Sequence, residues 1–344
     1  MFMSRAGSPV RWWLGGLMCL FLLAVAASIL FGSADYGPDA VLDYLFGGVT
    51  DATVGNDVSG QRVPRTIAGA AIGAALGISG AILQAVTRNP LAESGLLGVN
   101  AGAALGVVCG FTFAGATGSW TYLVWAFAGA IGASVVVLVI ANAARVTVSP
   151  LRLVLAGVAL GATLRGLTSY LLLRNANSYD AYRNWVLGSL SGIRLAQALA
   201  LLPVVAAGVL IAAVSVRPLA ALALGDDTAI ALGHRPGRTR VLAALAVALL
   251  TGASVALTGP IAFAGLLAPF AARFIAGPRL GLQLVLSALA GAALLLVSDV
   301  VSRIVISPYE LPVAVILALV GAPILVLIAR SRGLLTLRAP GEGG

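Results

Sequence analysis

Residues 64–86 read PRTIAGAAIGAALGISGAILQAV, an almost uninterrupted apolar run. An α-helix needs about 20 apolar residues to cross the hydrocarbon core of a bilayer, and this run is long enough. Its glycines Gly69, Gly73 and Gly77 recur at every fourth position, so they share one face of a helix. In lipid, small residues at this spacing allow two helix backbones to approach closely. The run therefore predicts a transmembrane helix packed inside a bundle.

The rest of the chain has the same character. It has 344 residues, of which 60% are hydrophobic and 10% charged, with a mean hydropathy of +1.04. A soluble domain carries about a quarter charged residues. We therefore predict an all-α, polytopic membrane protein with about ten transmembrane helices, one for each long apolar run. These runs lie near residues 12–32, 64–86, 96–115, 120–142, 152–173, 196–216, 241–259, 261–276, 281–301 and 311–330.

The distribution of arginine predicts the orientation of these helices. We expect a single transmembrane domain over residues 1–344 with both termini in the cytoplasm, which places 14 of the 21 arginines on the inner side. The segments outside the membrane are then a cytoplasmic N-terminus 1–11, an external loop 33–61, a cytoplasmic segment 217–240 and a cytoplasmic tail 331–344.

The first apolar run allows a second interpretation. Two arginines precede it and Ala24-Val25-Ala26 resembles a signal-peptidase site, so a cleaved signal peptide is the alternative to a first span. The apolar stretch continues to Phe31, which is longer than the apolar core of a signal peptide and favours the span.

Rare and missing residue types exclude several functions. All 21 basic residues are arginine, and without lysine the chain has neither a P-loop nucleotide site nor a Schiff-base catalyst. His234 is the single histidine, and Cys19 and Cys109 fall inside apolar runs, so a catalytic metal site lacks ligands. We expect no metal, no cofactor, no nucleic-acid partner and no enzymatic activity.

Arginines at the predicted outer surface fit two roles. Arg62 and Arg65 stand at the outer mouth of the second span, and Arg303 stands at the outer end of the ninth. As interfacial anchors, their side chains would reach lipid headgroups. As a docking surface, they would pair with carboxylates of an acidic partner, because a guanidinium binds a carboxylate bidentately.

The polar segment 84–98 joins the second and third spans and includes Gln84, Asn89 and Pro90. Irregular backbone at membrane depth is tolerated only where it is buried in protein or lines a watery cavity, and the second case makes these residues candidates for a translocation path. The alternative is a cytoplasmic turn in which Asn89 caps the next helix.

Residues 222–233 predict a short cytoplasmic helix. Gly225 ends one element, Asp226 and Asp227 favour a helix N-terminus, and Leu232-Gly233 closes the helix after two turns. Such a helix contributes little to stability but would suit a groove on another protein.

Several motifs occur in a fixed order along the chain. They are Arg62-Val-Pro-Arg65, Ser79-Gly-Ala-Ile-Leu-Gln84, Arg88-Asn-Pro-Leu-Ala92, Trp185-Val-Leu-Gly188, Leu224-Gly225 with Leu232-Gly233, Gly259-Pro-Ile-Ala-Phe263, and Asp299 to Arg303. With these motifs, the chain from Arg62 onwards resembles the FecCD-type permease subunits of ABC importers for iron–siderophore complexes, haem and cobalamin.

The resemblance implies the architecture of a type II ABC importer permease and a set of partners. Such a subunit pairs with a second permease, a copy of itself or a related chain, around a central path in the bacterial inner membrane. Two ATPase subunits bind on the cytoplasmic side and an extracytoplasmic binding protein docks on the other. The implied cargo is a ferric siderophore, and cobalamin or haem is the alternative within the family.

An ion-coupled secondary transporter is the alternative from another class. Such transporters place an ionisable carboxylate near the bilayer midplane. The acids nearest to the predicted spans, Asp299 and Glu310, lie close to the outer end, which argues against this class.

The resemblance also implies roles for individual residues. Arginines of the family that accept glutamates of the binding protein match Arg62, Arg65 and Arg303. The coupling element that sits in a cleft of the ATPase matches Gly225, Asp226, Asp227, Ala231, Leu232 and Gly233. The cytoplasmic gate before the fifth span matches Ser149 and Pro150, although a proline stands there in place of the usual small hydroxyl residue.

Arg165 lies near the middle of the fifth span, a helix that lines the path in this family. A charge at bilayer depth costs at least about 2.5–3.5 kcal/mol and is functional by default. Arg165 either pairs with a helix carbonyl inside the bundle or faces the path, where it would favour an anionic ferric chelate.

Overall fold

The computed structural model describes residues 8–34, 36–48, 51–115, 118–142 and 150–330, and every regular element in these ranges is helical. The α-helices in chain order are α1 Ser8–Leu30, α2 Pro38–Leu45, α3 Ala52–Asp57, α4 Val63–Thr87, α5 Val99–Ala114, α6 Ser119–Asn142, α7 Pro150–Arg174, α8 Ala176–Val186, α9 Leu195–Val214, α10 Val216–Leu224, α11 Asp226–Ala231, α12 Pro236–Thr258, α13 Ala264–Ala276, α14 Leu280–Ile304 and α15 Val313–Arg330. A π-helical turn, Val58–Arg62, joins α3 to α4, and a 3₁₀ turn, Ser94–Leu97, precedes α5.

The predicted spans correspond to ten of these helices. Within the described ranges, seven helices are long and apolar enough to cross a membrane: α1, α4, α6, α7, α9, α12 and α14. Three shorter apolar helices, α5, α13 and α15, occupy the positions of the remaining predicted runs. The prediction of an all-α polytopic membrane protein is confirmed.

Helix α4 lies at the centre of the bundle because its glycines remove the side chains that would separate it from its neighbours. A Cβ at Gly73 would overlap the carbonyl of Gly291 on α14, and a Cβ at Gly80 would overlap the carbonyl of Gly265 on α13. Helices α5 and α6 meet in the same way, with Gly102 against the backbone of α6. Van der Waals contact at this distance replaces the hydrophobic drive that is absent between helices in lipid.

Short helices lie at the two ends of α4. Its 25 residues span about 37 Å at 1.5 Å per residue, more than the hydrocarbon core of a bilayer. Near its N-terminus, α2 and α3 pack over a small apolar cluster of Val41, Val54 and Val58. Near its C-terminus lie α10 and α11, so the fold carries a pair of short helices at each end of the central helix.

Candidate functional sites

A group of six charged residues lies at the N-terminal end of α4, and we call it the Asp299 cluster. It joins the C-terminal ends of α1 and α14, the π-helical turn and the loop before α15. Its members are Asp57, Arg62, Arg65, Asp299, Arg303 and Glu310.

Asp299 is the centre of this cluster. It is fully buried on α14 and accepts hydrogen bonds from Arg65 Nε at 3.0 Å and from Arg65 Nη2 at 2.7 Å. Arg303, one helical turn further along α14, is also bound to it. Arg65 Nη1 donates to Glu310 Oε2 at 2.7 Å, and Arg303 Nη1 donates to the carbonyl of Ser28 at 2.9 Å. These contacts fix the ends of α1, α4 and α14 together.

Arg62 is held in the same cluster by a separate carboxylate. Its Nε donates to Asp57 Oδ2 at 2.8 Å, and its Nη1 donates to the carbonyl of Leu30 at 2.8 Å. The hydroxyl of Tyr36 also donates to Asp57. Burial, followed by this hydrogen bond to Asp57, raises the pKa of Tyr36 to about 12. The turn that begins at Val58 is therefore tied to the end of α1.

The three arginines predicted to dock a binding protein are thus gathered in one cluster, but they are buried. Arg62, Arg65 and Arg303 are 3%, 7% and 2% exposed. Their charges are balanced inside the chain by three carboxylates, of which Glu310 is the most exposed. The predicted contact with a binding protein stays a prediction. In this conformation the guanidinium groups are already paired with carboxylates of the same chain.

A second charged group, the Asp226 cluster, lies at the opposite end of α4. It consists of Arg88, Asp226 and Arg240. Arg88 Nη2 donates to Asp226 Oδ1 at 2.8 Å, and Arg240 Nη2 donates to the same oxygen at 2.7 Å. Burial alone would raise the pKa of Asp226, but the hydrogen bonds and charges of Arg240 and Arg88 outweigh it and hold the pKa below its ordinary value.

The predicted coupling element is the short helix α11 with the residues that flank it. Gly225 has a φ of 135°, a conformation open to glycine, and it turns the chain from α10 into α11. Asp227, Ala231 and Gly233 are exposed, and Asp226, which is bound to its two arginines, keeps 35% of its side chain exposed. The neighbouring apolar side chains are also exposed: Leu224 at 73%, Ile230 at 58% and Leu232 at 60%.

Three of the predicted path residues lie in the last turn of α4 or just after it. Gln84 is 2% exposed, and its Oε1 accepts a hydrogen bond from Arg273 Nη2 on α13 at 2.7 Å. Asn89 is exposed and forms a turn in which its Oδ1 accepts from the backbone N–H of Leu91 at 2.9 Å. Pro90 is buried beside it. The structure therefore supports a defined turn at this point rather than a helix cap at Asn89.

The remaining predicted path residues are Arg165, Pro150 and Ser149. Arg165 is exposed on α7, with the exposed apolar residues Leu155, Val158 and Leu167 on the same helix. Among the described residues no ion pair of Arg165 is seen. Pro150 begins α7, and Ser149 lies outside the described residues.

In the part of the chain that the structure describes, ten apolar helices with a charged cluster at each end of the central one define a multi-pass membrane protein. The model of the FecCD transport family matches residues 20–331, and the chain belongs to this family. Its members are permease subunits of ABC transporters, and ATP hydrolysis takes place on a separate subunit.

Curated relatives match most of the chain. It is 43% identical to the ferric enterobactin transport system permease protein FepD of Escherichia coli over 92% of this chain and 94% of that protein. It is 35% identical to the Fe(3+)-citrate import system permease protein YfmD of Bacillus subtilis, over 91% of this chain and 92% of that protein. A cobalamin import system permease protein BtuC of Halobacterium salinarum is 36% identical over 79% of this chain and 72% of that protein.

A solved structure has the same fold. It is a metal-chelate type ABC transporter in an inward-facing conformation, with a TM-score of 0.81, 24% identity, and coverage of 93% of this chain and 99% of that chain.

Sequence reasoning did not identify two contacts of the 84–98 segment. Glu93 Oε1 accepts a hydrogen bond from the backbone N–H of Phe263, which precedes α13, at 2.7 Å. Arg88 contacts Asp226 across the bundle. The signal available in the sequence was the motif Arg88-Asn-Pro-Leu-Ala92 followed by Glu93, but a motif does not identify the partners of its side chains.

Proposed function

We propose that the chain is the membrane-spanning subunit of an importer that carries a ferric siderophore across the bacterial inner membrane. The observation that supports this cargo best is the 43% identity to a ferric enterobactin permease over nearly the whole of both chains. The exposed Arg165 on α7 is consistent with it, because a cation on the path would attract an anionic ferric chelate.

Cobalamin is the second candidate cargo, supported by the 36% identity to a cobalamin permease. The identity is lower and extends over less of the chain than for the ferric enterobactin relative. An ion-coupled secondary transporter is not favoured, because the family works with a separate ATPase.

The proposed assembly has two permease subunits, two ATPase subunits and an extracytoplasmic binding protein. The exposed apolar side chains on and beside α11 support an ATPase contact, since Leu224, Ile230 and Leu232 would be costly to leave in water. The exposed face of α7 supports a second permease subunit, because Arg165 would be costly to leave in lipid. The remaining apolar faces would contact membrane lipid.

The proposed orientation places the Asp226 cluster and both termini in the cytoplasm. The loop 33–61 and the Asp299 cluster then face the outside. The excess of arginine in the segments assigned to the cytoplasm supports this orientation. Residues 217–240 form the proposed coupling segment, and residues 1–344 form one transmembrane domain.

Docking of a binding protein at the Asp299 cluster requires an exchange of partners. We propose that a glutamate of the binding protein displaces Glu310 from Arg65. Glu310 is the most accessible of the three internal carboxylates, with 24% of its side chain exposed against 21% for Asp57 and none for Asp299. The substitution Glu310→Gln should then strengthen binding of the binding protein, since a neutral amide competes less well for a guanidinium.

Asp39→Asn is the matched control for this exchange, because Asp39 is an exposed acid on α2, within the loop 33–61 on the same proposed side of the membrane. It removes the same negative charge without freeing Arg65. Equal effects of the two substitutions on the dissociation constant would show general electrostatics and refute the exchange.

The cargo is tested by uptake into proteoliposomes that contain the permease pair and its ATPase, with the binding protein on the side of the Asp299 cluster. Labelled ferric enterobactin, ferric citrate and cobalamin are offered separately. We expect uptake of a ferric chelate. Uptake of cobalamin alone would refute the proposed cargo and retain the transport class.

A further inference from the structure

We infer that Arg88 is a positioning residue that links α11 to the turn at Asn89 and Pro90, so that this part of the path moves with the ATPase contact. The inference rests on the proposed function, in which α11 binds the ATPase and the 84–98 segment borders the path.

Arg88 holds two elements with one guanidinium group. Its Nε and Nη2 donate to the carbonyl of Leu222 on α10 at 3.2 and 2.8 Å, and its Nη2 also donates to Asp226 at the start of α11 at 2.8 Å. Arg88 has a φ of 51°, which is unfavourable for a residue with a Cβ and persists when surrounding contacts hold it. The end of α4 is therefore attached directly to the α10–α11 corner.

Arg240 connects the same carboxylate, that of Asp226, to α12. It is 1% exposed at the beginning of α12, and its Nη2 donates to both carboxylate oxygens of Asp226 at 2.7 and 2.9 Å. A force applied to α11 therefore displaces Asp226 together with Arg88 and the start of α12.

The chain beyond Arg88 is short and internally bonded. Besides the Asn89–Leu91 contact, the N–H of Ala92 donates to the carbonyl of Asn89 at 3.1 Å, so the turn behaves as a unit. Glu93 then binds the N–H of Phe263 at the start of α13. Asn89 and Pro90 thus lie between two anchors, one at the α10–α11 corner and one at Phe263, the residue before α13. Relative motion of these helices must change their position.

A purely architectural ion pair would behave differently from a link of this kind. Its loss would lower the stability or the yield of the assembled complex, but each assembled complex would still transport one cargo for the same amount of ATP. Loss of a link would leave ATP hydrolysis and reduce the transport that accompanies it. The ratio of cargo transported to ATP hydrolysed therefore distinguishes the two.

The experiment measures this ratio in proteoliposomes that contain the full complex, with ferric enterobactin and its binding protein as the probe. Variants are Arg88→Gln, Asp226→Asn and the double substitution. Arg279→Gln is the matched control, since Arg279 is an exposed arginine just before α14, outside the proposed coupling segment, and forms no ion pair among the described residues. The wild-type complex comes first, because absence of ATP-dependent uptake there would refute the proposed function itself.

We expect each single variant to lower the ratio by about 3- to 30-fold, the range for residues that carry coupling between sites. The double variant should be no worse than the poorer single variant, because both remove the same link. Arg279→Gln should match the wild type. Wild-type ratios in assembled Arg88→Gln complexes, or losses that multiply in the double variant, would overturn the inference.

If Arg88→Gln complexes fail to assemble, Arg88→Lys provides the test. Lysine keeps the charge near Asp226, but its single ammonium lacks the planar fork with which arginine holds Leu222 and Asp226 together. A ratio below the wild type in assembled Arg88→Lys complexes supports the link, and a wild-type ratio overturns it.

Discussion

Replacement of Asp299 by asparagine tests the role of the Asp299 cluster in holding the bundle together. Asparagine has nearly the same size as aspartate, so Asp299→Asn removes the charge without opening a cavity. Two buried guanidinium groups, those of Arg65 and Arg303, then lose the carboxylate that they share.

The expected loss of stability follows from the burial of the three groups. Asp299 has no exposed side-chain surface, and the side chains of Arg65 and Arg303 are 8% and 2% exposed. Breaking a buried ion pair by removing one partner costs about 3–5 kcal/mol. Arg65 keeps Glu310 at 2.7 Å, so we count the loss of one pair rather than two. At the lower slope for large domains, about 2 °C per kcal/mol, the melting temperature should fall by about 6–10 °C.

The assay is thermal unfolding of the purified protein in detergent, followed by intrinsic tryptophan fluorescence. Asp43→Asn is the matched control, because Asp43 is exposed on α2 and forms no ion pair among the described residues. Its melting temperature should equal that of the wild type. A decrease of less than about 2 °C for Asp299→Asn would show that the cluster contributes little and would refute this reasoning.

Three further predictions concern the bundle, the path and the Asp226 cluster. Gly80→Ala should destabilise the protein by about 1–3 kcal/mol in the same thermal assay, because the added methyl group meets the carbonyl of Gly265. Gly132→Ala is the control and should not destabilise the protein, because its methyl group points into open space. Equal effects of the two substitutions would contradict close packing at Gly80. Arg165→Ala should lower uptake of the ferric siderophore without lowering the melting temperature, since its side chain is exposed; unchanged uptake would remove it from the path. The ratio of cargo transported to ATP hydrolysed should stay constant from about pH 8 to pH 5, because the lowered pKa of Asp226 keeps this carboxylate charged and ion-paired throughout that range. The ion pairs are lost only as the pH falls through the lowered pKa. A decrease of the ratio between about pH 8 and pH 5 that is absent in Asp226→Asn would contradict the ion pairs.

The transmembrane helices could be predicted from the sequence because their signal is local. Each long apolar run forms one helix, and the four-residue spacing of the glycines in α4 is enough to predict close packing. The short helices α2 and α3 were not predicted within the 33–61 loop, since their formation depends on the apolar cluster of Val41, Val54 and Val58 that they cover.

The candidate sites could be predicted only in part, because ion pairs join residues far apart in the chain. Arg65 was identified as a functional candidate, but its carboxylate partners lie 234 and 245 positions away and hold it inside the protein. Asp226 was predicted to belong to the coupling element, which stays a prediction, but its two ion-pair partners were not predicted: Arg88 lies 138 positions earlier and Arg240 14 positions later. Residue type and position identified these groups, and only the packing of the helices determined which charges they meet.

ATP-dependent uptake in proteoliposomes tests the proposed importer most directly. With the partner permease, the ATPase and the binding protein present, a ferric siderophore should accumulate only while ATP is hydrolysed, and a protonophore should have no effect. Uptake that proceeds without ATP, or that stops when the proton gradient is collapsed, would contradict it.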